Sequence, residues 1–93
     1  MRSRYSAFVL GDEAYLLETW HPSTRPARVG LDSRMRWTGL SVQRIIDGTP
    51  FHTSGTVRFT AGFESGGRAG TLTETSQFVS EDGRWLYVDG VID

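Results

Sequence analysis

The sequence predicts an α+β domain in which N-terminal helices pack on one face of an antiparallel sheet of about four strands. Three observations carry this expectation. Apolar residues recur at helical spacing ahead of Pro22, and period-two alternation replaces that pattern after Trp37. Three glycine-containing turn signals then divide the second half into strands joined too tightly for parallel crossovers. Helices first and strands after is the order of an α+β architecture. The 93 residues make one domain, residues 1–93, with an expected radius of gyration of about 12 Å.

Each element has a local reason. Met1, Tyr5, Phe8 and Val9 fall on one face of a first helix, which Gly11 ends. Asp12 is a suitable N-cap for a second short helix carrying Leu16, Leu17 and Trp20. Pro22 stops it, because the residue before a proline is pushed out of the helical region. Residues 22–36 hold Pro22, Pro26 and Gly30 among several charges and read as a long loop. Strands are expected over 36–46, 55–64, 69–80 and 84–91, separated by Asp47-Gly48, Gly66-Gly67 and Asp82-Gly83.

A turn about Gly66-Gly67 sets Phe59 opposite Glu74, Ala61 opposite Leu72 and Val57 opposite Ser76. Leu72, Glu74, Ser76 and Phe78 then share the helix-covered face with the apolar row of the preceding strand. A turn about Asp82-Gly83 adds Trp85, Tyr87 and Asp89 to that face. Arg44 stands in an alternating row with Leu40, Val42 and Ile46, so the same reasoning turns it inward, two strand spacings from Glu74.

A carboxylate on a covered face is costly unless paired or protonated, which makes Glu74 a candidate acid, base or ligand acceptor. The alternative is a buried glutamate satisfied by Arg44, a tyrosine hydroxyl or backbone donors. Trp20, Trp37, Trp85 and Tyr87 offer apolar walls with polar tips, and Phe59, Ser76 and Phe78 complete the expected pocket. His21, at the end of the second helix, is expected to look into it and, with Tyr87, to assist Glu74. A histidine at a helix C-terminus also has a structural reason to be there. His52 lies in a loop. The two histidines make no zinc spacing, and no glycine-rich phosphate loop or nucleophile elbow is present. No metal and no cofactor is expected.

Composition narrows the partners. Charged residues are 23% and the net charge is −1. All ten basic residues are arginine, which a compositional bias accounts for as simply as selection for bidentate anion contacts. Arg25, Arg28, Arg34, Arg36 and Arg44 crowd one region near Trp37, but a nearly neutral domain lacks the field that nucleic-acid binding uses, so that partner is not expected. No apolar run is long enough for a membrane span, and the charged first twenty residues are unlike a signal peptide; the cytoplasm is the expected setting. The last strand is apolar on both faces, with Leu86 and Val88 joined by Val79 and Ile45 on the outer one, so a partner there is expected, a homodimer being the commonest form.

Met1-Arg2-Ser3-Arg4-Tyr5-Ser6-Ala7-Phe8, Thr19-Trp20-His21-Pro22-Ser23-Thr24-Arg25-Pro26, Trp37-Thr38-Gly39-Leu40 and the closing Gly83-Arg84-Trp85-Leu86-Tyr87-Val88-Asp89-Gly90 resemble the uncharacterised YchJ-like family. The resemblance runs from end to end. It implies a nuclear-transport-factor-2-like domain, a curved sheet wrapped on helices around a conical cavity. Family members usually carry a cysteine-rich zinc-binding SEC-C segment ahead of the Met-Arg-Ser-Arg-Tyr run. This sequence has no cysteine, so zinc does not carry over. Thr73 stands where members often have histidine, which weakens a His–Glu acid/base pair. The expectation is a small, dimeric, non-catalytic binding or interaction domain, taking a small amphipathic ligand or a partner protein. The alternatives are an isomerase- or dehydratase-type pocket enzyme using Glu74 for proton transfer and, less favoured, RNA-associated binding through the arginine-rich loop.

Overall fold

The computed structural model describes residues 2–31, 34–49 and 51–93. Two helices, α1 (Arg2–Leu10) and α2 (Glu13–Glu18), precede four strands, β1 (Met35–Asp47), β2 (Ser54–Ser65), β3 (Arg68–Glu81) and β4 (Arg84–Ile92). Gly11, at φ 69°, ends α1 in a conformation that side chains resist. The Asp12 carboxylate caps α2 by accepting from the Tyr15 amide at 3.1 Å. The strands form one antiparallel meander in the order β1-β2-β3-β4. Gly66-Gly67 and Asp82-Gly83 all have positive φ, the geometry of tight hairpins whose twist suits the flanking strands.

The β2–β3 pairing is unbroken. Phe59 lies opposite Glu74, Ala61 opposite Leu72 and Val57 opposite Ser76. The helices cover this inner face. Its core is Leu16, fully buried, with Ala7, Phe59, Ala61 and Phe78.

Three placements differ from the sequence expectation, and each has a physical cause. The β1–β2 ladder shifts register between Trp37 and Gly39 and again between Val42 and Arg44. Leu40 and Val42 stay inward opposite Ala61 and Phe59, while Arg44 and Ile46 fall opposite Arg58 and Thr56 on the outer face. One extra residue, Gln43, thus flips the rest of the row. Arg44 is exposed and does not approach Glu74, and Ile45, opposite Val57, belongs to the inner face. The β3–β4 ladder shifts likewise: Phe78 pairs with Tyr87 but Gln77 pairs with Asp89. Val88 is the extra residue, Asp89 turns outward, and Gly90 comes to lie opposite Ser76.

The third difference is in α1. Its buried residues are Arg4 and Ala7, whereas Val9 is 51% exposed. Met1 lies outside the described residues. Tyr5 and Phe8 are half-buried and meet Trp37 edge-on, with ring centroids 6.3 and 5.9 Å away, and Trp37 meets Phe63 at 6.0 Å. Counting apolar residues misplaces the buried stripe because a buried arginine is invisible to it.

The free edge of β4 is covered by the chain that leaves α2. The His21 amide donates to the Tyr87 carbonyl at 2.7 Å, the Tyr87 amide to the Thr19 carbonyl at 2.8 Å, and the Thr24 hydroxyl to the Val88 carbonyl at 2.5 Å. This parallel contact protects the edge and seats Trp20 edge-on against Tyr87, centroids 4.8 Å apart. On the outer face Leu86 is buried within the domain itself, and Val79 and Val88 are half-buried. No helix among the described residues is long and apolar enough to cross a membrane.

Candidate functional site

A cavity of about 320 Å³ lies between α1 and the inner face of the sheet. Its floor comes from β2 and β3 through Phe59, Ala61, Leu72, Glu74 and Ser76. Arg4, Tyr5 and Phe8 reach it from α1, and Trp20, Trp37 and Tyr87 wall it. Six residues of the expected pocket therefore meet: Trp20, Trp37, Phe59, Glu74, Ser76 and Tyr87. Phe78 and Trp85 line an adjacent cavity of about 260 Å³ instead. Arg44 borders neither.

The position of the Glu74 carboxyl is set by two neighbours. The fully buried Ser76 hydroxyl donates to Glu74 Oε2. Gly90 supplies the room: a Cβ there would come within 2.6 Å of the carboxyl carbon and of Oε2. The glycine occupies that spot because the extra residue at Val88 shifts the β4 register. A carboxyl group is thereby aimed by a hydroxyl and a gap rather than by a cation.

The cation of the site is Arg4, which the sequence reading overlooked. It is 4% exposed. Its Nη1 donates to the Leu16 carbonyl at 3.1 Å and to Thr19 Oγ1 at 2.6 Å, tying α1 to the end of α2. Its guanidinium carbon lies 4.6 Å from the Tyr87 ring centroid and 5.3 Å from that of Trp20. Burial lowers its pKa from the usual arginine value, opposed by Tyr87, Tyr15 and Glu74. One signal pointed to it: Arg4 and Ala7 are three apart on α1, and a small residue beside a long one marks close helix packing. Arginine reads as solvated by default, and that default prevailed.

His21 is held away from both cavities. Its Nδ1 meets the Ser23 hydroxyl at 2.7 Å and accepts from the Ser23 amide at 3.1 Å, while Nε2 meets Glu81 Oε1 at 2.7 Å. It locks the turn after α2 onto the end of β3, so its expected assistance to Glu74 has no geometric basis. His52 is engaged with Thr49 and Asp47 at the β1–β2 connection. Arg25 donates from Nε and Nη2 to the Trp20 carbonyl, a structural role for one member of the arginine-rich loop. Among the described residues no group of three or more His, Cys, Asp or Glu is placed to hold a metal ion.

Tyr87 is subject to both charges. Burial, reinforced by Glu74, pushes its pKa from 10.0 up to about 12, with Arg4 pulling the other way. Folding therefore holds this proton more tightly than the unfolded chain does. The stability so conferred is complete below pH 10.0 and is lost as pH rises through about 12. Absorbance titration of tyrosinate should show a phenol that ionises only as pH nears about 12, and urea unfolding should show stability falling across that window. The Tyr87→Phe variant should lack both the late phenol and its share of the slope. An unchanged titration in Tyr87→Phe would contradict the assignment.

Comparison with known proteins agrees with the fold. Residues 1–90 match the model of the YchJ middle NTF2-like domain. A UPF0225 protein of Streptomyces coelicolor is 58% identical over 97% of this chain and 69% of its own length. A UPF0225 protein of Streptomyces avermitilis is 57% identical over 97% of this chain, which spans 61% of that protein. A UPF0225 protein of Chromobacterium violaceum is 50% identical over 99% of this chain and 70% of its own length. Among solved structures, the solution structure of RPA3114, a SEC-C motif containing protein from Rhodopseudomonas palustris, superposes with a TM-score of 0.82 at 32% identity, covering 98% of this chain and 73% of that one. The chain belongs to the YchJ family, as its middle NTF2-like domain.

Proposed function

We propose that this domain binds a small amphipathic ligand in a conical pocket, the Glu74 cavity, without chemistry and as a cytoplasmic homodimer. The lining of the cavity supports the reading: rings of Tyr5, Phe8, Trp20, Trp37, Phe59 and Tyr87 surround a carboxyl held by Ser76. Ligand sites are mostly apolar hollows of about 300 Å³ upward with a few convergent polar groups. The rings suit a flat apolar body. The Glu74 oxygen not engaged by Ser76 suits a ligand hydroxyl or N–H. The homodimer rests on the outer face of the sheet, where Ile46 and Val91 are 44% and 68% exposed.

One observation favours a second reading. Glu74 and the Tyr87 phenol border the same cavity, and Tyr87 keeps its proton up to about pH 12. A base beside a neutral donor is what proton abstraction next to a carbonyl requires. The C–H proton passes to Glu74, the electron pair moves onto the carbonyl oxygen, and Tyr87 donates a hydrogen bond to it.

Three measurements separate these readings. Titrating p-cresol into the ¹⁵N-labelled protein should move the Trp20 and Trp37 indole N–H signals saturably. Glu74→Gln should weaken that binding about tenfold, near 1.4 kcal/mol; the absence of any saturable shift would end the binding proposal. In D₂O, accelerated exchange of the α-hydrogens of cyclohexanone, lost in Glu74→Gln, would establish proton transfer, and a rate equal to buffer would remove it. Sedimentation equilibrium should give a dimer at high protein concentration; a monomer there would remove the homodimer.

A further inference from the structure

Arg4 borders two cavities, and among the described residues only one of them is lined by an acid. One is the Glu74 cavity. The other is the hollow of about 260 Å³ bordered by Ser3, Tyr15, Thr19, Val57, Phe78 and Trp85. Among the described residues no Asp or Glu lines this second hollow, and Arg4 is the one ionic group there at neutral pH.

The state of Arg4 gives that arrangement its meaning. Arginine is almost never so deeply buried unless an acid pairs with it. Here the guanidinium is met by a carbonyl, a hydroxyl and two ring faces, and among the described residues by no carboxylate within 4.0 Å. The hydrogen bonds it makes all leave from Nη1. Yet no side-chain nitrogen among the described residues is both sealed from solvent and unbonded, so Nε and Nη2 border open space rather than packed atoms. A planar fork with donors to spare matches a carboxylate. The Glu74 cavity repels such an anion. The second hollow does not, and it adds the hydroxyl-bearing Ser3 and Tyr15 and the apolar Val57, Phe78 and Trp85 to its lining.

We infer that the hollow bordered by Arg4, Tyr15, Val57 and Trp85 is a second binding site, distinct from the Glu74 cavity, for a small organic carboxylate with an apolar body. The carboxylate lies on the Arg4 fork and the body against Trp85 and Val57. The two sites then select opposite chemistries through one shared arginine: a hydrogen-bond donor at Glu74, an anion behind Arg4.

Benzoate and its neutral isostere benzamide test this on the wild-type protein. Benzoate should shift the amide signals of Ser3 and Tyr15 and the Trp85 indole N–H saturably, and benzamide should bind at least about tenfold more weakly. Val57→Phe, which fills the hollow and leaves Arg4 in place, should abolish benzoate binding while p-cresol binding at the Glu74 cavity persists. Arg4→Met, a buried charge exchanged for an apolar stem, should abolish it too, and where that variant fails to fold Val57→Phe carries the test. No saturable benzoate shift, equal affinity for benzoate and benzamide, shifts centred on Leu72 and Glu74, or full benzoate binding by folded Val57→Phe would each overturn the inference. Loss of p-cresol binding alone would strike the Glu74 reading and leave this one standing.

Discussion

The buried guanidinium of Arg4 is the constraint on which the arrangement turns. Two short helices have little apolar surface with which to hold themselves to a sheet, and α2 is only six residues long. Arg4 compensates by reaching from α1 to the Leu16 carbonyl and to the Thr19 hydroxyl, which itself donates to the Tyr15 carbonyl at 2.8 Å. The same side chain lies over Tyr87 of β4 and Trp20 of the edge segment. One residue thus joins both helices, the last strand and the segment beside it. Leaving these acceptors without their donor costs on the order of 1–3 kcal/mol each, a large share of what a domain of this size has in hand.

The site exists because the sheet is irregular where it matters. Alternation continued from Leu40 and Val42 would send Arg44 inward and set a second guanidinium against Phe59. The extra residue at Gln43 sends it out, and among the described residues Arg4 is the one cation at the inner face. A regular β4 would put Asp89 inward near Glu74, two carboxylates on one face. The extra residue at Val88 sends Asp89 out and sets Gly90 opposite Ser76, where the missing side chain becomes the space for the Glu74 carboxyl. The irregularities at Gln43 and Val88 each remove a charge from the inner face, and the one at Val88 also makes room for the carboxyl that stays. Bulges re-aim side chains at this scale in many sheets.

Much of this was legible in the residues, and the failures share one cause. The β2–β3 register follows from Gly66-Gly67 because a two-residue hairpin leaves no freedom to slip, so the residues alone put Phe59, Glu74 and Ser76 on one face. Asp12 announced its cap in the same way. Arg44 and Asp89 were misplaced because alternation assumes an uninterrupted ladder, and a bulge carries no strong local signature when the extra residue is glutamine or valine. Arg4 was missed and His21 overvalued for a related reason. A single side chain's direction depends on partners far away in sequence: Leu16 and Tyr87 for the first, Glu81 for the second. The aromatic composition of the walls survived these errors, since Trp20, Trp37 and Tyr87 have large surfaces that few positions in so small a domain can cover.

The separation of Arg4 from Glu74 follows from these placements and has consequences of its own. Had the two side chains met, each would have neutralised the other and the hollow would present no net polarity to a ligand. Tyr87 is coupled to both. Its ring lies under the guanidinium, and its pKa is raised by Glu74 and lowered by Arg4. The phenol stays neutral through the physiological range, so it cancels neither charge. The interior therefore keeps a negative end over Gly90 and a positive partition near Thr19, with aromatic surface between. In an apolar surround such fixed charges act more strongly than on the surface. On the proposed reading, a flat ligand in either cavity would meet charge at the end of an apolar wall, and that contrast is the physical basis for its selectivity.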